Sequence, residues 1–247
     1  MIRTVLFIVA AVLFIFLSLF FVLLPYYILR LAMLRNAADW WIKRSATFYG
    51  RALILGTGAK VEVQGLEQVP RETRHICVVS NHQSLFDIPL LVGYLPVMLG
   101  FIAKKELGRI PVLNLWMKAL GSVLIDRRNR RSAIQAIKTG VQRIQDGRPL
   151  GVFPEGTRSR SGKMGRFKPG SLKLALRANA VIVPVTIEGT HRIFEGAGGI
   201  HPAKIVITVH APVVTEGMPE EDQKKLADSL EATIREGMQG ENATESV

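Results

Sequence analysis

Ile76-Cys77-Val78-Val79-Ser80-Asn81-His82-Gln83-Ser84-Leu85-Phe86-Asp87 runs from an unbroken apolar tetrapeptide through a polar loop into a helical pattern. Apolar residues in succession, without alternation, read as a strand buried on both faces. The loop behind that strand holds a histidine and a carboxylate five positions apart. In one regular helix the two would sit roughly 140° apart and would not readily meet. Ser84-x-x-Asp87 is instead the spacing of an N-terminal capping pair, with Ser84 as N-cap and Asp87 at N3. His82 then lies in the strand-to-helix loop, within bonding reach of Asp87. Imidazole titrates near neutrality, and a carboxylate that fixes its tautomer completes a base–orienter pair. The competing reading of the same residues is structural: Ser84 and Asp87 cap a helix, and His82 is a surface loop residue.

The surrounding chain repeats the strand-then-helix alternation. Strand patterns fall at 60–63, 75–80, 98–103, 123–125, 150–153, 181–187 and 204–210; helical patterns fall at 84–91, 113–120, 132–146, 170–178 and 219–238. This predicts an α/β domain with a largely parallel central sheet flanked by helices. In such sheets functional groups collect at the carboxyl ends of strands. Those ends carry Asn81-His82, Lys104-Lys105, Asp126-Arg127 and Glu155-Gly156-Thr157-Arg158. Gly156 permits a positive-φ turn or close ligand approach, and Arg158 can fork onto phosphate oxygens, with Thr157 and nearby amides adding donors. Glu155 is placed either to accept from a substrate hydroxyl or to hold Arg158. Lys104, Lys105 and Arg127 are the further candidates for an anion pocket, against a solvated basic face. Pro184 interrupts its strand pattern and suggests an edge, a bulge or a tight turn. His75, His191, His201 and His210 have no paired acid at useful spacing and are expected to be structural or superficial. The glycine-rich run 196–199 is expected to be a flexible turn. No metal-ligand spacing is present, and no cofactor is expected.

The ends of the chain differ from this pattern. Residues 4–29 contain no charge, longer than the ~7–15 apolar residues of a signal peptide and enough for the about 20 that cross a bilayer. Basic residues follow the run more densely than they precede it, which puts the main domain on the cytoplasmic side. The segment 26–55 mixes Trp, Tyr and Arg with apolar residues, as the headgroup layer favours. Residues 1–55 are therefore expected to form hydrophobic membrane-anchor helices, spanning or as an interfacial pair. Residues 56–238 would form the α/β domain and 239–247 a disordered tail. The single Cys77 excludes an internal disulfide and is expected to be a buried small hydrophobe. The net charge of +12 is local: between Phe101 and Lys173, 17 Lys and Arg face 4 Asp and Glu. Beside an anchor, and with few aromatics interleaved, that excess favours an anionic lipid over nucleic acid.

A histidine base with no G-x-S-x-G elbow fits direct transfer to a substrate hydroxyl, although Ser80 and Ser84 keep an acyl-serine route conceivable. The motifs together resemble those of the glycerolipid acyltransferases. Asn81 to Asp87 is similar to their H-x4-D motif, and Gly121-Ser122-Val123-Leu124-Ile125-Asp126-Arg127 to their second motif. Phe153-Pro154-Glu155-Gly156-Thr157-Arg158-Ser159 is similar to the third, and Val183-Pro184-Val185-Thr186-Ile187 to the fourth. Leu124 stands where the family often has Phe. In length and in its third motif the chain looks most like the 1-acyl-sn-glycerol-3-phosphate O-acyltransferase family. The resemblance implies that His82, oriented by Asp87, deprotonates the sn-2 hydroxyl of lysophosphatidic acid. The donor would be acyl-CoA or acyl-carrier protein. Arg158, Lys104 and Arg127 would hold the phosphate, with Glu155, Gly156 and Thr157 completing the pocket. It further implies a place in phospholipid biosynthesis at a membrane, the bacterial inner membrane, with membrane lipids as partners. Other acceptors, glycerol-3-phosphate or another lysophospholipid, and a non-catalytic anionic-lipid-binding protein are the alternatives.

Overall fold

The uncharged run at the start folds as one helical rod, α1 (Ile2–Ser18), a π-helical turn (Leu19–Leu23) and α2 (Leu24–Leu31). The structure is a computed structural model describing all residues except Arg127, Ala197 and 240–247, and all their side chains except those of Arg130 and Gln239. The π turn has a local cause: Pro25 lacks an N–H and its ring crowds the carbonyl four residues back, so the preceding turn widens. Trp41 Nε1 donates to the Val22 carbonyl in that turn at 3.0 Å. A turn through Met33 (φ 62°) reverses the chain into α3 (Arg35–Gly56). The two helical segments lie against each other, with the Phe14 ring stacked on Tyr49 at 4.1 Å. Trp40 and Trp41 divide: Trp40 is exposed under Arg44, while Trp41 is half-buried against the π turn.

The α/β alternation follows: β1 (Lys60–Gln64), β2 (Ile76–Ser80), α4 (Asp87–Tyr94), β3 (Gly100–Lys104), α5 (Pro111–Ala119), β4 (Val123–Ile125), α6 (Arg130–Gln145) and β5 (Leu150–Val152). Then come α7 (Lys173–Arg177), β6 (Val181–Glu188), β7 (Lys204–Val209), β8 (Val213–Val214) and α8 (Glu220–Gln239). The strands form one sheet of order β1-β7-β6-β2-β5-β3-β4, with β8 also on β6. All pairings are parallel except those of β6 with β7 and β8. The architecture is the expected α/β sheet flanked by helices. The tail expected at 239–247 lies outside the described residues save Gln239, which ends α8.

β2 is the middle of the sheet and is buried at every position. Ile76 and Val78 point into a core with α3 and α4, whereas Cys77 and Val79 point into one with α6, α7 and α8. Burial pushes the Cys77 thiol up to about 12, so it stays a neutral packing group. A third apolar cluster joins the helical pair to α5 through Leu23, Ile42 and Ala119.

Two local expectations change, and one short strand was not foreseen. α4 begins at Asp87, with Phe86 as its N-cap, so Ser84 is in the loop rather than at the cap. Pro184 lies in the interior strand β6, not at an edge. It occupies the break where the antiparallel partner changes from β8 to β7, and its carbonyl accepts from His210 N at 2.9 Å. β8, two residues long, has no periodicity to reveal it.

Candidate active site

Parallel neighbours end on the same edge of a sheet, so the loops after β5, β2 and β6 emerge side by side. Asn81 fixes the first step out of β2. Its side-chain nitrogen donates to the Ile187 carbonyl and its oxygen accepts from Ile187 N, both at 2.8 Å, tying the loop to β6. The chain then turns so that His82 Nδ1 lies 2.7 Å from Asp87 Oδ2. The same oxygen accepts from Gln83 N at 2.7 Å and Ser84 N at 2.9 Å. The carboxylate therefore reaches back to gather the loop amides, which is why the helix starts at Asp87. Asp87 is fully buried and the His82 side chain is 16% exposed. With Nδ1 bonded to the carboxylate, ring geometry puts Nε2 on the side away from it, as an acceptor. One face of the imidazole stacks on Phe153 at 4.0 Å and 12°, and Phe153 stacks in turn on Phe101.

The loop after β5 runs along the His82 loop. Ser159 N donates to the His82 carbonyl and Arg160 N to that of Gln83, at 2.9 and 3.1 Å. Glu155 is turned inward. Its Oε1 accepts from His82 N at 2.6 Å and its Oε2 from Gly165 N at 2.8 Å. Burial raises the Glu155 carboxyl above its ordinary value, and those two amide bonds partly oppose the rise. Both oxygens thus hold backbone amides, and neither is bonded to Arg158. Gly156 adopts φ +75°, and a Cβ there would lie 3.0 Å from Lys168 Nζ. Thr157 is exposed and Arg158 half-buried.

Arg158 is held by a residue outside all the sequence motifs. Its Nη1 lies 3.3 Å from Glu195 Oε1, and Glu195 is only 7% exposed. Glu195 also accepts from Ser84 Oγ at 2.7 Å and Leu85 N at 2.9 Å. That commits the Ser84 hydroxyl proton to Glu195 rather than to His82. Lys104 is exposed at the end of β3, and Lys105 faces Asp126 at 3.8 Å. Arg127 lies outside the described residues. The structure thus brings together His82, Asp87, Glu155 and Arg158, and leaves Lys104 and Thr157 exposed.

Sequence reasoning gave the segment 190–195 no role beyond a structural or superficial His191. Thr190 Oγ1 donates to Asp87 Oδ1 at 2.6 Å, and His191 Nδ1 lies 3.3 Å from Gln83 Oε1. Burial, aided by Arg192, lowers the His191 imidazole below its usual value and keeps it neutral there. The signal was present: this segment follows the carboxyl end of β6, where the rule applied to the other strands also points. Among the described residues no three His, Cys, Asp or Glu are grouped to hold a metal ion.

A family model described as Acyltransferase matches residues 60–188. The chain is 34% identical over 200 residues to the 1-acyl-sn-glycerol-3-phosphate acyltransferase alpha of Mus musculus, covering 79% of this chain and 68% of that one. It is 33% identical over 176 residues to a chloroplastic 1-acyl-sn-glycerol-3-phosphate acyltransferase of Brassica napus, covering 69% of this chain. It spans about half the length of that plant relative, 51%. The crystal structure of the 1-acyl-sn-glycerophosphate acyltransferase PlsC from Thermotoga maritima is similar throughout, with a TM-score of 0.86 and 31% identity. That match covers 98% of this chain and 95% of the other.

Proposed function

The chain belongs to the 1-acyl-sn-glycerol-3-phosphate acyltransferase family of glycerolipid acyltransferases, and from that premise we propose that it acylates the sn-2 hydroxyl of 1-acyl-sn-glycerol-3-phosphate to give phosphatidic acid. The observation that carries this reading is the His82–Asp87 bond of 2.7 Å in a loop hydrogen-bonded to the one bearing Arg158. His82 Nε2 takes the proton of the sn-2 hydroxyl as its oxygen attacks the thioester carbonyl. Asp87 stabilises the imidazolium that forms, and His82 returns the proton to the departing thiolate. The new ester C–O bond replaces the C–S bond, and no covalent acyl-enzyme is needed. Arg158 binds the phosphate as a charge-assisted fork, with Lys104 and Arg127 adding charge at the same sheet edge. Glu155 serves the pocket from beneath, by holding His82 N and Gly165 N. Gly156 lets the backbone approach the glycerol phosphate, and Thr157 adds a hydroxyl donor. The donor is an anionic thioester, acyl-CoA or acyl-carrier protein, drawn by the basic segment 101–173.

We read the helical pair as seating the enzyme in the cytoplasmic leaflet without crossing it, at a membrane where its product would enter phospholipid synthesis. Both ends of the rod 2–31 are bonded to the α/β domain and its flanking loops. Arg3 donates to the Thr57 carbonyl and Thr4 Oγ1 accepts from Ile200 N at 3.0 Å. Further along, Trp116 Nε1 donates to Ser18 Oγ at 2.8 Å and Tyr27 Oη to the Leu115 carbonyl at 3.2 Å. A rod fastened at both ends to one body lies along it, and its outer row (Leu6, Val9, Leu13, Phe16, Phe20) remains exposed for lipid.

Acyl transfer measured with a panel of lysolipid acceptors and both donor types, on wild type and His82→Ala, tests the proposal. The expected result is activity on the lysophosphatidate and a loss of about 10²–10⁴-fold in His82→Ala. An unchanged rate in His82→Ala sinks the mechanism, and preference for another acceptor reassigns the substrate.

A further inference from the structure

Gly189 ends β6 at φ +89°, a turn at which a Cβ would collide with the Lys204 carbonyl. That turn delivers Thr190 straight beneath the His82 loop, where it is fully buried. Its hydroxyl lies 2.6 Å from Asp87 Oδ1 and 3.5 Å from Gln83 Oε1, so its one proton belongs to the carboxylate. The two oxygens of Asp87 are unequally served. Oδ2 takes His82 Nδ1, Gln83 N and Ser84 N, whereas Thr190 is the donor on Oδ1 among the described residues.

A carboxylate turns about its Cβ–Cγ bond over a broad, shallow profile. Rotation would carry Oδ2 off its three donors, and Oδ1, buried with it, is costly to leave bare, so the held orientation needs a donor on each oxygen. We infer that Thr190 is a positioning residue for acyl transfer: its hydroxyl pins Oδ1, fixes the plane of Asp87, and so sets the tautomer and direction of the His82 ring. The inference rests on the reading of His82 as the base. Thr190 touches neither substrate nor the reacting atoms; it acts through Asp87. The same segment supplies Glu195 to Arg158 and Ser84, so one stretch of chain aligns the base and the anion-binding arginine.

The test uses the full chain with lysophosphatidate in mixed micelles and an acyl-CoA donor. Thr190→Val keeps the shape and removes the hydroxyl; kcat is expected to fall about 10- to 100-fold, the loss of a bond to a charged group. Both KM values should stay within about twofold, since no binding contact is removed. Thr190→Ser should recover most of kcat. On a His82→Ala background, Thr190→Val should lower the residual rate no further, because the two residues act as a unit. A wild-type kcat in Thr190→Val, or equal losses in Val and Ser, overturns the inference. So does a loss on the His82→Ala background as large as on wild type. If Thr190→Val does not fold, Thr190→Ser against Thr190→Ala decides: both lack the methyl, so a much faster Ser supports the inference and equal rates overturn it. A fully active His82→Ala removes the base and the inference with it. An inactive His82→Ala beside a fully active Thr190→Val removes the inference alone.

Discussion

Glu155 shows how much of a site is spent on holding the backbone that carries its chemistry. Its two oxygens each take a half-buried backbone amide, His82 N and Gly165 N, from two separate chain segments. Glu155→Gln keeps the size but turns an NH₂ group towards one of those donors. One half-buried N–H then loses its acceptor, at about 1 kcal/mol of stability. Denaturant unfolding should show that loss, and kinetics should show a lower kcat with the lysolipid KM within about twofold of wild type. A large rise in that KM alone would show Glu155 to be a substrate ligand instead. His82 and Asp87 were legible because they are close in sequence and in space. Glu155 was visible as a motif residue, but its partners were not, since a sequence shows a carboxylate and not which amides lie under it. Thr190 and Glu195 are more than a hundred positions from the residues they hold in the His82 loop, and only the parallel order of β2 and β6 brings them there.

Among the elements, the crossing of α3 and α4 decides where Asp87 stands. The two helices meet at glycines: a Cβ on Gly50 would lie 2.5 Å from the Pro89 carbonyl oxygen and 2.8 Å from Gly93 N. Arg51 Nε closes the contact by donating to the Gly93 carbonyl at 2.7 Å, and its guanidinium covers the Tyr94 ring. Backbone this close tolerates no methyl group. Gly50→Ala should destabilise the chain by about 1–3 kcal/mol despite the better helix propensity of alanine. Thermal unfolding checks this, and an unchanged midpoint would show that α4 can slide away from α3. The apolar strand runs, the 3.6-residue period of α8 and the long first helix could be read because each is a pattern over many residues. The start of α4 could not, because the capping spacing of Ser84 and Asp87 is used in reverse, by a side chain bonding backwards to the loop. β8 could not either, since its two residues are set by pairing with β6.

At the scale of the whole molecule, acid should loosen the fold through two half-buried imidazoles. Burial lowers His191 and His210 below their ordinary 6.5. Below that value the unfolded chain takes up protons first, so the stability they contribute is present above 6.5 and is lost as the pH falls through the lowered folded values. The unfolding temperature should therefore drop between neutrality and mildly acidic pH. His210→Gln, which keeps a donor for Thr186 Oγ1, should flatten part of that slope.

The first helix has a wider consequence. Phe7 packs on Phe86, the residue before Asp87, at 6.0 Å, and Thr4 is bonded to the chain just after the Glu195 segment. It is therefore packed into the enzyme as well as apolar enough to meet a membrane, and it is not an interchangeable part. A chimera carrying another protein's helix of equal length and mean hydropathy in place of 2–31 should still float with liposomes. Its turnover per vesicle-bound molecule should nonetheless be several-fold lower, as when small displacements spread from remote contacts to a reacting centre. Equal turnover would show the helix to be a plain tether. For anyone grafting, truncating or tagging this enzyme, the front of the chain is then no permissive site, and neither is the end of α8, where Gly237 lies against Thr186 and His210 and Met238 against Asn81.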